Sequence, residues 1–445
     1  MAVAIFCIAI VVICIPLVIF KPQAVFYIFI ASTVFGAIFY GYIFDANNLG
    51  LPRAWQPSDF LWILVFFAAF FVKPEITRYP DTIKKCIAVV SVLLLVSIVQ
   101  GLIRNPVHSI TFMRIIYCTT AAFFASRYLT TAKRVQFFVH FVILLTILMF
   151  VVHVLIRYAI YTPPTARIDY ETKLGGERGG SSLALVLYLL LLGIGTGRLS
   201  YKKASKLYSV VMLLVGLMGI FLSESRSLYG GLAVLVMGSV LFVKNKIKLV
   251  AAYAVVGIFG VFVAGLCGYN FLERFEYGQA QETSVTEAFE HHTWRGMEYQ
   301  EIARQYAREP YFFLTGRGIG ALHAVPWNEV PYAAFWHSEY LNWLDRVGLI
   351  GFGAFIIMLM SALWNSYFMC RKKKPFLVFL GTSSFLAFSS LFANGVFHPI
   401  IMNDRIGPLL ICFFVIIANR RSIAESMEEE EYDSGQLLYY EEALM

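Results

Sequence analysis

The sequence has few charged residues for its size. Only 14% of its 445 residues are Asp, Glu, Lys or Arg, whereas 59% are hydrophobic and the mean hydropathy is +0.70. Soluble domains carry about 25% charged residues, so this chain has too little polar surface to cover its 40 Phe and 25 Tyr side chains in water. The composition excludes a secreted, nuclear or cytosolic globular protein and predicts a protein of the lipid bilayer.

The spacing needed for metal or disulfide frameworks is also missing. The chain has seven cysteines, most of them within apolar segments, and no two are spaced as CxxC. We therefore expect neither a disulfide nor a zinc site. The net charge of +8 is dispersed in short clusters, which argues against nucleic acid as a partner. The first apolar run lacks the basic start and cleavage site of a signal peptide, so we expect a retained helix.

Apolar runs long enough to cross a bilayer recur along the chain. A hydrocarbon core of about 30 Å requires about 17 to 25 residues of helix. The runs lie at 2–20, 23–44, 59–73, 84–104, 109–129, 134–158, 181–198, 206–222, 227–243, 247–270, 346–369, 376–397 and 405–418. They predict an all-α integral membrane protein with about 12–13 transmembrane helices.

Basic clusters predict the orientation of these helices. Loops rich in lysine and arginine stay in the cytoplasm, and such clusters occupy alternate connections in this chain. They lie at 73–85, 127–134, 198–206, 244–248, 371–374 and 420–421. Fourteen of the 15 lysines then fall on the inner side, Lys173 being the exception.

This orientation divides the chain into four regions. Residues 1–270 hold ten helices, residues 271–336 form a large, partly helical outer loop, and residues 337–418 hold three more helices. Residues 419–445 form an acidic cytoplasmic tail. We expect the tail from Ala424 onward to be disordered or loosely attached to the inner surface.

On the predicted outer side, arginine carries almost all of the positive charge. Its planar guanidinium binds a phosphate through two hydrogen bonds, which lysine cannot do. The outer face is therefore expected to bind an anionic ligand, although some arginines could instead pair with acids or anchor helices. The outer or boundary arginines are Arg53, Arg104, Arg157, Arg167, Arg178, Arg226, Arg274, Arg295, Arg304, Arg308, Arg317 and Arg405.

Arg226 lies at membrane depth in this orientation. A turn of about five residues around it joins two apolar runs, and an ionisable residue at that depth is costly unless it has a partner. The alternatives are a ligand-binding role or a salt bridge to Glu224 or lipid phosphate.

The outer loop contains one amphipathic segment. Within 294–309 the residues Tyr299, Ile302, Ala303 and Tyr306 share a helical face, and Pro310 ends the segment. We expect a helix that lies on the bilayer surface or caps a cavity. The glycines at alternate positions in 316–320 predict a tight turn rather than a dinucleotide site.

His337 lies where the outer loop enters the next apolar run. Histidine titrates near neutral pH, which suits a general base. The alternative is an interfacial or capped histidine beside Trp336.

Together these motifs resemble the bacterial O-antigen ligase and polymerase superfamily over residues 175–418. The resemblance rests on Ser225-Arg226 before a glycine-rich helix, on Arg295-x-Met-x-Tyr299 in an outer-loop helix, and on His337-x-x-x-Leu341 followed by Gly348-Leu-Ile-Gly351. It implies a membrane C-type glycosyltransferase fold in the bacterial inner membrane, with its active site facing the periplasm. The donor would be a glycan on undecaprenyl diphosphate, and membrane lipids would surround the protein. A ligase transfers finished O-antigen to lipid A-core, whereas a polymerase adds a repeat unit to a growing glycan.

The resemblance also implies residue roles. His337 matches the catalytic histidine, Arg226 and Arg295 match the diphosphate-binding arginines, and Arg178 and Arg405 are looser matches. We add Tyr299 and Tyr340 as substrate-binding candidates. Ser338 replaces the asparagine that commonly follows the histidine. The reaction would be an inverting displacement without metal or cofactor, since the outer segments lack DxD and fixed arginines can stabilise the leaving group.

Three alternatives remain open. Asp45 is a rival base in the first outer loop. A lipid-linked glycan transporter would have a similar helix count, but should show internal repeats and paired ionisable residues at the midplane. A purely structural subunit would not need outer arginines. Within the superfamily, an arginine followed by ten residues and a glycine is typical of polymerases, and Arg178, Arg226 and Arg308 do not fit it. This favours a ligase.

Overall fold

The structure is a computed structural model, and it describes a large part of the chain. The described residues are 2–38, 58–73, 81–106, 109, 113–155, 294–323, 332–333, 336, 338–396 and 407–429, with scattered helical positions between 233 and 262. Within this part the chain is almost entirely helical, apart from turns and one two-stranded ribbon.

The helices are α1 (Ala2–Phe20), α2 (Pro22–Ile38), α3 (Ser58–Phe71), α4 (Thr82–Arg104), α5 (Ile116–Tyr128), α6 (Ala132–Leu155), α7 (Trp294–Arg308), α8 (Phe312–Thr315), α9 (Glu339–Cys370), α10 (Pro375–Asn394), α11 (Gly407–Ala418) and α12 (Arg420–Glu429). A 3₁₀ turn at Met113–Ile115 leads into α5. Strands β1 (Leu322–His323) and β2 (Tyr332–Ala333) pair antiparallel.

Several described helices could cross a membrane. Among the described residues, α4, α9 and α10 are long and apolar enough, and the bent pair α11 and α12 makes a fourth if it counts as one span. Every predicted run from 2–20 to 134–158, and the last three runs, fall on an observed helix. The runs 181–198 and 206–222 lie outside the described residues, and 227–243 and 247–270 are described only at scattered positions.

Many large apolar side chains lie on the outer surface of the bundle. Phe67, Val92, Ile357 and Trp364 are each more than half exposed, which would be unusual for a protein surrounded by water. Inside, aromatic rings pack closely, as in the stacked pair of Phe26 in α2 with Phe124 in α5. The distribution is consistent with a multi-pass membrane protein whose surface faces lipid.

Four connections predicted to be cytoplasmic meet at one end of the bundle, which is called the lysine-rich end. The contacts are the ion pair of Arg420 with Asp81, the hydrogen bond from Asn419 Nδ2 to Leu129 O at 2.7 Å, that from Ala132 N to Ser426 Oγ at 2.9 Å, and the ion pair of Lys374 with Glu428 at 3.6 Å. Asp81 also caps α4 by accepting a hydrogen bond from Ile83 N at 2.8 Å. Residues predicted to share a side therefore do share one.

The opposite end is formed by the last turn of α4, the turn at 316–320 and the start of α9; it is called the glycine-turn end. The α9 helix begins at Glu339, seven residues before the predicted apolar run at 346–369. Its path bends at Gly348, whose φ of +71° is non-helical. A Cβ at this position would lie 2.3 Å from Leu314 O, so the backbone of α8 occupies the space that a side chain would need.

The start of the acidic tail differs from its prediction. The sequence predicts a tail that is disordered or loosely attached from Ala424, but helix α12 continues to Glu429 and turns 62° away from α11. Burial of Ile423 and the hydrogen bond from Ala132 N to Ser426 Oγ hold α12 against the bundle. Residues 430–445 lie outside the described residues.

Candidate functional site

Helix α7 of the predicted outer loop packs against the segment that leads into α9. Ile302 and Tyr306 contact Trp336 and Leu341 in one apolar cluster. The Tyr306 hydroxyl donates a hydrogen bond to Leu344 O at 2.8 Å. Burial raises the pKa of this hydroxyl, and the nearby Asp345 carboxylate raises it further, so Tyr306 remains a neutral donor. Trp336, which precedes His337 in the sequence, and Leu341 thus lie beside α7.

The buried side of α7 is more polar than its sequence pattern indicates. Tyr299 and Ala303 are exposed, whereas Glu298, Glu301 and Gln305 are more than nine-tenths buried. Gln305 Nε2 donates to Glu301 Oε1 at 2.9 Å. Buried carboxylates are stable only where other groups compensate them. The buried side of α7 therefore carries these polar residues beside the apolar Ile302.

Asn342 holds the residues on either side of His337. Its side chain is fully buried and makes three hydrogen bonds. Oδ1 accepts from Trp336 N at 2.8 Å, and Nδ2 donates to Trp336 O at 2.7 Å and to Ser338 O at 2.8 Å. One side chain in the first turn of α9 therefore fixes two backbone segments that flank the predicted base.

A buried group of charges lies one turn further along α9. Asp345 Oδ1 accepts a hydrogen bond from Arg317 Nε at 2.7 Å, and Oδ2 accepts one from the Trp336 indole at 2.9 Å. The guanidinium of Arg346 lies 3.6 Å from Asp345 and also donates to Ala321 O at 3.1 Å. The Arg317 and Arg346 charges are thus paired with protein groups. Arg317, one of the outer arginines expected to bind an anion, has an internal structural partner instead.

The tight glycine turn predicted at 316–320 is present. Gly316, Gly318 and Gly320 all have positive φ. The turn is joined to α4 by hydrogen bonds from Ile319 N to Ser97 O at 3.0 Å and from Gln100 Nε2 to Gly316 O at 3.1 Å. Ser109, which lies beyond the end of α4, also donates a hydrogen bond from Oγ to Ile319 O at 2.7 Å. A Cβ on Gly101 would lie 1.8 Å from Ile319 O, so only glycine permits this approach. Ser97 Oγ also donates to Arg346 O at 2.7 Å, which joins α4 to α9.

The start of α9 is also tied to the end of α10. Glu339 N donates to Gly395 O at 2.7 Å, and Ser338 Oγ donates to the same carbonyl at 3.3 Å. The Tyr340 hydroxyl donates to Phe392 O at 2.5 Å. Glu339 itself is buried and accepts a hydrogen bond from the Trp343 indole at 2.7 Å. The described residues between 336 and 343 are consequently attached to two neighbouring elements, α7 and α10.

Few of the predicted site residues lie in the described part of the chain. His337, Arg226, Arg178, Arg405 and the rival Asp45 lie outside it. Arg295 is the second residue of α7, and only its backbone is described.

Two tyrosines from the predicted site are described with their side chains. Tyr299 is exposed on α7, and Tyr340 is partly buried in the first turn of α9. Tyr340 donates its proton to Phe392 O, so its oxygen is left to accept a hydrogen bond from a ligand.

Sequence reasoning misses the residues that build this region. Asn342, Asp345 and Arg346 are absent from the predicted site although they lie within nine residues of His337. The available signal is a polar residue recurring at helical spacing, 342, 345 and 346, immediately before an apolar run. Within the described part of the chain, His, Cys, Asp and Glu do not cluster in a way that could hold a metal ion.

A comparison of the chain with models of known protein families finds no match, and a search of curated proteins finds no significantly similar sequence. Trp336 and Ser338, which flank residue 337 in the sequence, are buried and hydrogen-bonded, and α7 packs against Trp336. Backbone fixed in this way suits a reaction in which one side chain must be held against a bound substrate.

Proposed function

We propose that the protein is a membrane glycosyltransferase of the O-antigen ligase type. It transfers a glycan from undecaprenyl diphosphate to lipid A-core at the periplasmic face of the bacterial inner membrane. The observation that supports this most is the packing of α7 on Trp336 and Leu341. Helix α7 carries Arg295, and Trp336 directly precedes His337, so elements bearing two of the three proposed catalytic residues are in contact.

The proposed reaction is a single displacement at the anomeric carbon. The acceptor hydroxyl attacks this carbon, the bond from carbon to the phosphate oxygen breaks, and undecaprenyl diphosphate leaves with the bonding electrons. His337 takes the proton of the acceptor hydroxyl, a role in which a positioned base contributes about 10²–10⁴-fold. The anomeric configuration is inverted because attack occurs opposite the leaving group.

Arginine supplies the counter-charge in this proposal. Arg226 and Arg295 hold the diphosphate and stabilise the negative charge that develops as it leaves. Arg178, Arg405, Tyr299 and Tyr340 bind the remainder of the substrates. No metal or cofactor takes part.

The distribution of charge between the two ends of the bundle supports the orientation. Lysine-bearing connections meet at one end, in contacts such as that of Lys374 with Glu428. The proposed site lies at the other end, which under the positive-inside rule faces the periplasm. The proposed fold has about 12–13 transmembrane helices, of which the described helices form a part.

Deletion of the gene in its own bacterium, followed by gel analysis of lipopolysaccharide, tests the proposal. We expect polymer to disappear from lipid A-core while lipid-linked polymer accumulates. The wild-type gene restores the polymer and His337→Ala does not, because the base is missing. His140→Ala is the matched control, since His140 is an exposed histidine on α6, and it should restore the wild-type pattern.

Four results would contradict the ligase proposal or its mechanism. A single repeat unit left on the core would indicate a polymerase of the same superfamily. Full activity of His337→Ala would remove the proposed base and favour Asp45. Loss of transfer in EDTA, or movement of lipid-linked glycan without a new glycosidic bond, would exclude a metal-independent displacement.

A further inference from the structure

We propose that Asn342 is a positioning residue, whose side chain sets the location of the proposed base by fixing the backbone on both sides of His337. The inference rests on the proposed function for the role of His337. It adds a residue that neither the sequence motifs nor the resemblance assigned.

The hydrogen bonds of Asn342 are unusual in their direction. A polar side chain near a helix start normally caps the N–H groups of the turn that follows it. Asn342 instead lies inside the first turn of α9 and reaches back to the chain that precedes the helix. All three of its side-chain hydrogen bonds end on Trp336 or Ser338.

The bonded groups include the peptide unit that enters residue 337. Trp336 O belongs to the peptide bond between Trp336 and His337, and Ser338 O belongs to the peptide bond that follows Ser338. Asn342 Nδ2 donates to both carbonyls, while its Oδ1 accepts from Trp336 N. The side chain thus joins the two flanks of His337 through a single planar amide.

Other contacts fix the same flanks but do not join them to each other. The Trp336 indole is held by Asp345 on one side. On the other side, Ser338 Oγ and Glu339 N are held by Gly395 O. If Asn342 were lost, these contacts would remain on each flank, so we expect the segment to remain folded while the spacing across residue 337 loosens.

Kinetics with the purified full-length enzyme in detergent or proteoliposomes test this role. Asn342→Leu keeps the approximate volume and removes every side-chain hydrogen bond. A displacement of the reacting groups by about 1 Å costs about 10²-fold in rate. We expect kcat per folded molecule to fall by about 10²-fold, with the KM for the lipid-diphosphate donor nearly unchanged.

Asn419→Leu is the matched control. Asn419 is equally buried and donates through Nδ2 to a backbone carbonyl, Leu129 O at 2.7 Å, but it lies at the lysine-rich end. A comparable loss of folded protein is expected for both variants, whereas kcat per folded molecule should fall only for Asn342→Leu. Equal kcat values for the two variants would overturn the positioning role.

A double variant separates an effect through His337 from an independent one. If Asn342 acts by positioning the base, Asn342→Leu should cause no further loss in a His337→Ala background. A second, full loss in that background would overturn the inference. If His337→Ala is itself fully active, the proposed function fails, and this result is distinct from a failure of Asn342.

A chemical readout tests the inference without the transfer reaction. Diethyl pyrocarbonate modifies accessible histidines, and mass spectrometry of the peptides gives a rate for each site. Asn342→Leu should raise the modification rate of His337 relative to that of His140, and Asn419→Leu should not. An unchanged ratio in Asn342→Leu would show that Asn342 does not control the setting of His337.

Discussion

The two ends of the helical bundle are held together by different kinds of interaction. At the lysine-rich end, the ion pairs are more accessible: the Glu428 side chain is 70% exposed where it meets Lys374, and Arg420 is 20% exposed where it meets the mostly buried Asp81. At the glycine-turn end, the Asp345 side chain is 0% exposed and its partner Arg317 only 10%. Exposed pairs tolerate small shifts, whereas buried pairs need fixed geometry. The lysine-rich end therefore joins the helices without requiring an exact geometry, whereas the glycine-turn end fixes the relative positions of its residues.

The largest loss of stability is expected when Asp345 is removed from the glycine-turn end. Asp345→Ala leaves Arg317 and Arg346 buried without their shared carboxylate, and breaking a buried pair in this way costs about 3–5 kcal/mol. We expect a large fall in folded protein, measured by size-exclusion chromatography and thermal unfolding in detergent. Asp345→Asn retains the shape and should be less damaging. A wild-type melting temperature for Asp345→Ala would show that the buried charges do not stabilise this end.

Substitution of two glycines in α9 should change the stability of the protein by less, and in opposite directions. Gly348→Ala forces a side chain onto a residue with φ of +71° and into the α8 backbone, a strain of about 1–3 kcal/mol or more. Gly353→Ala is the matched control because it meets nothing within 4 Å and lies in regular helix, where alanine is favoured by about 1 kcal/mol. Thermal unfolding should thus move in opposite directions for the two variants. A stabilising Gly348→Ala would contradict the description of the bend.

The smallest effects belong to the lysine-rich end. Arg420→Ala removes a partly buried pair with Asp81 and should cost about 1 kcal/mol, less at high salt. Lys374→Ala affects a pair whose acid is mostly exposed and should change stability by less than about 0.5 kcal/mol. Unfolding measured at two salt concentrations checks both values. A loss at this end as large as that for Asp345→Ala would remove the distinction between the ends.

The lysine-rich end can be predicted well from sequence because its signal is local. Short basic clusters alternate with apolar runs, and the contacts of Asp81, Leu129, Lys374 and Arg420 agree with one shared side. The described helices likewise match the apolar runs closely. Helix α12 is not predicted because its acidic composition indicates a disordered or loosely attached tail. The burial of Ile423, which holds the helix in place, is visible only in the structure.

The glycine-turn end can be predicted only in part. The turn itself follows from alternate glycines, but its approach to Gly101 joins residues more than two hundred positions apart. The apolar run in the sequence begins at residue 346, directly after Asp345, whereas the helix itself begins at Glu339. Ion pairing allows both Asp345 and Arg346 to be buried within this helix. Asn342 escapes prediction for a related reason: its partners are backbone groups, which a pattern of side chains does not reveal.

The hydrogen bond between Ser109 and Ile319 spans 210 positions, and the one from Ser97 to Arg346 spans 249. During synthesis, α4 is complete long before its partners exist. At about 5–20 residues per second, the ribosome needs about 10–50 s to add the intervening chain. Through that interval the hydroxyl groups of Ser97 and Ser109 must be satisfied by water or by the insertion machinery. The glycine-turn end is therefore one of the last parts of the molecule to assemble, and a chain released before residue 316 would retain the helices of its first half but not this end.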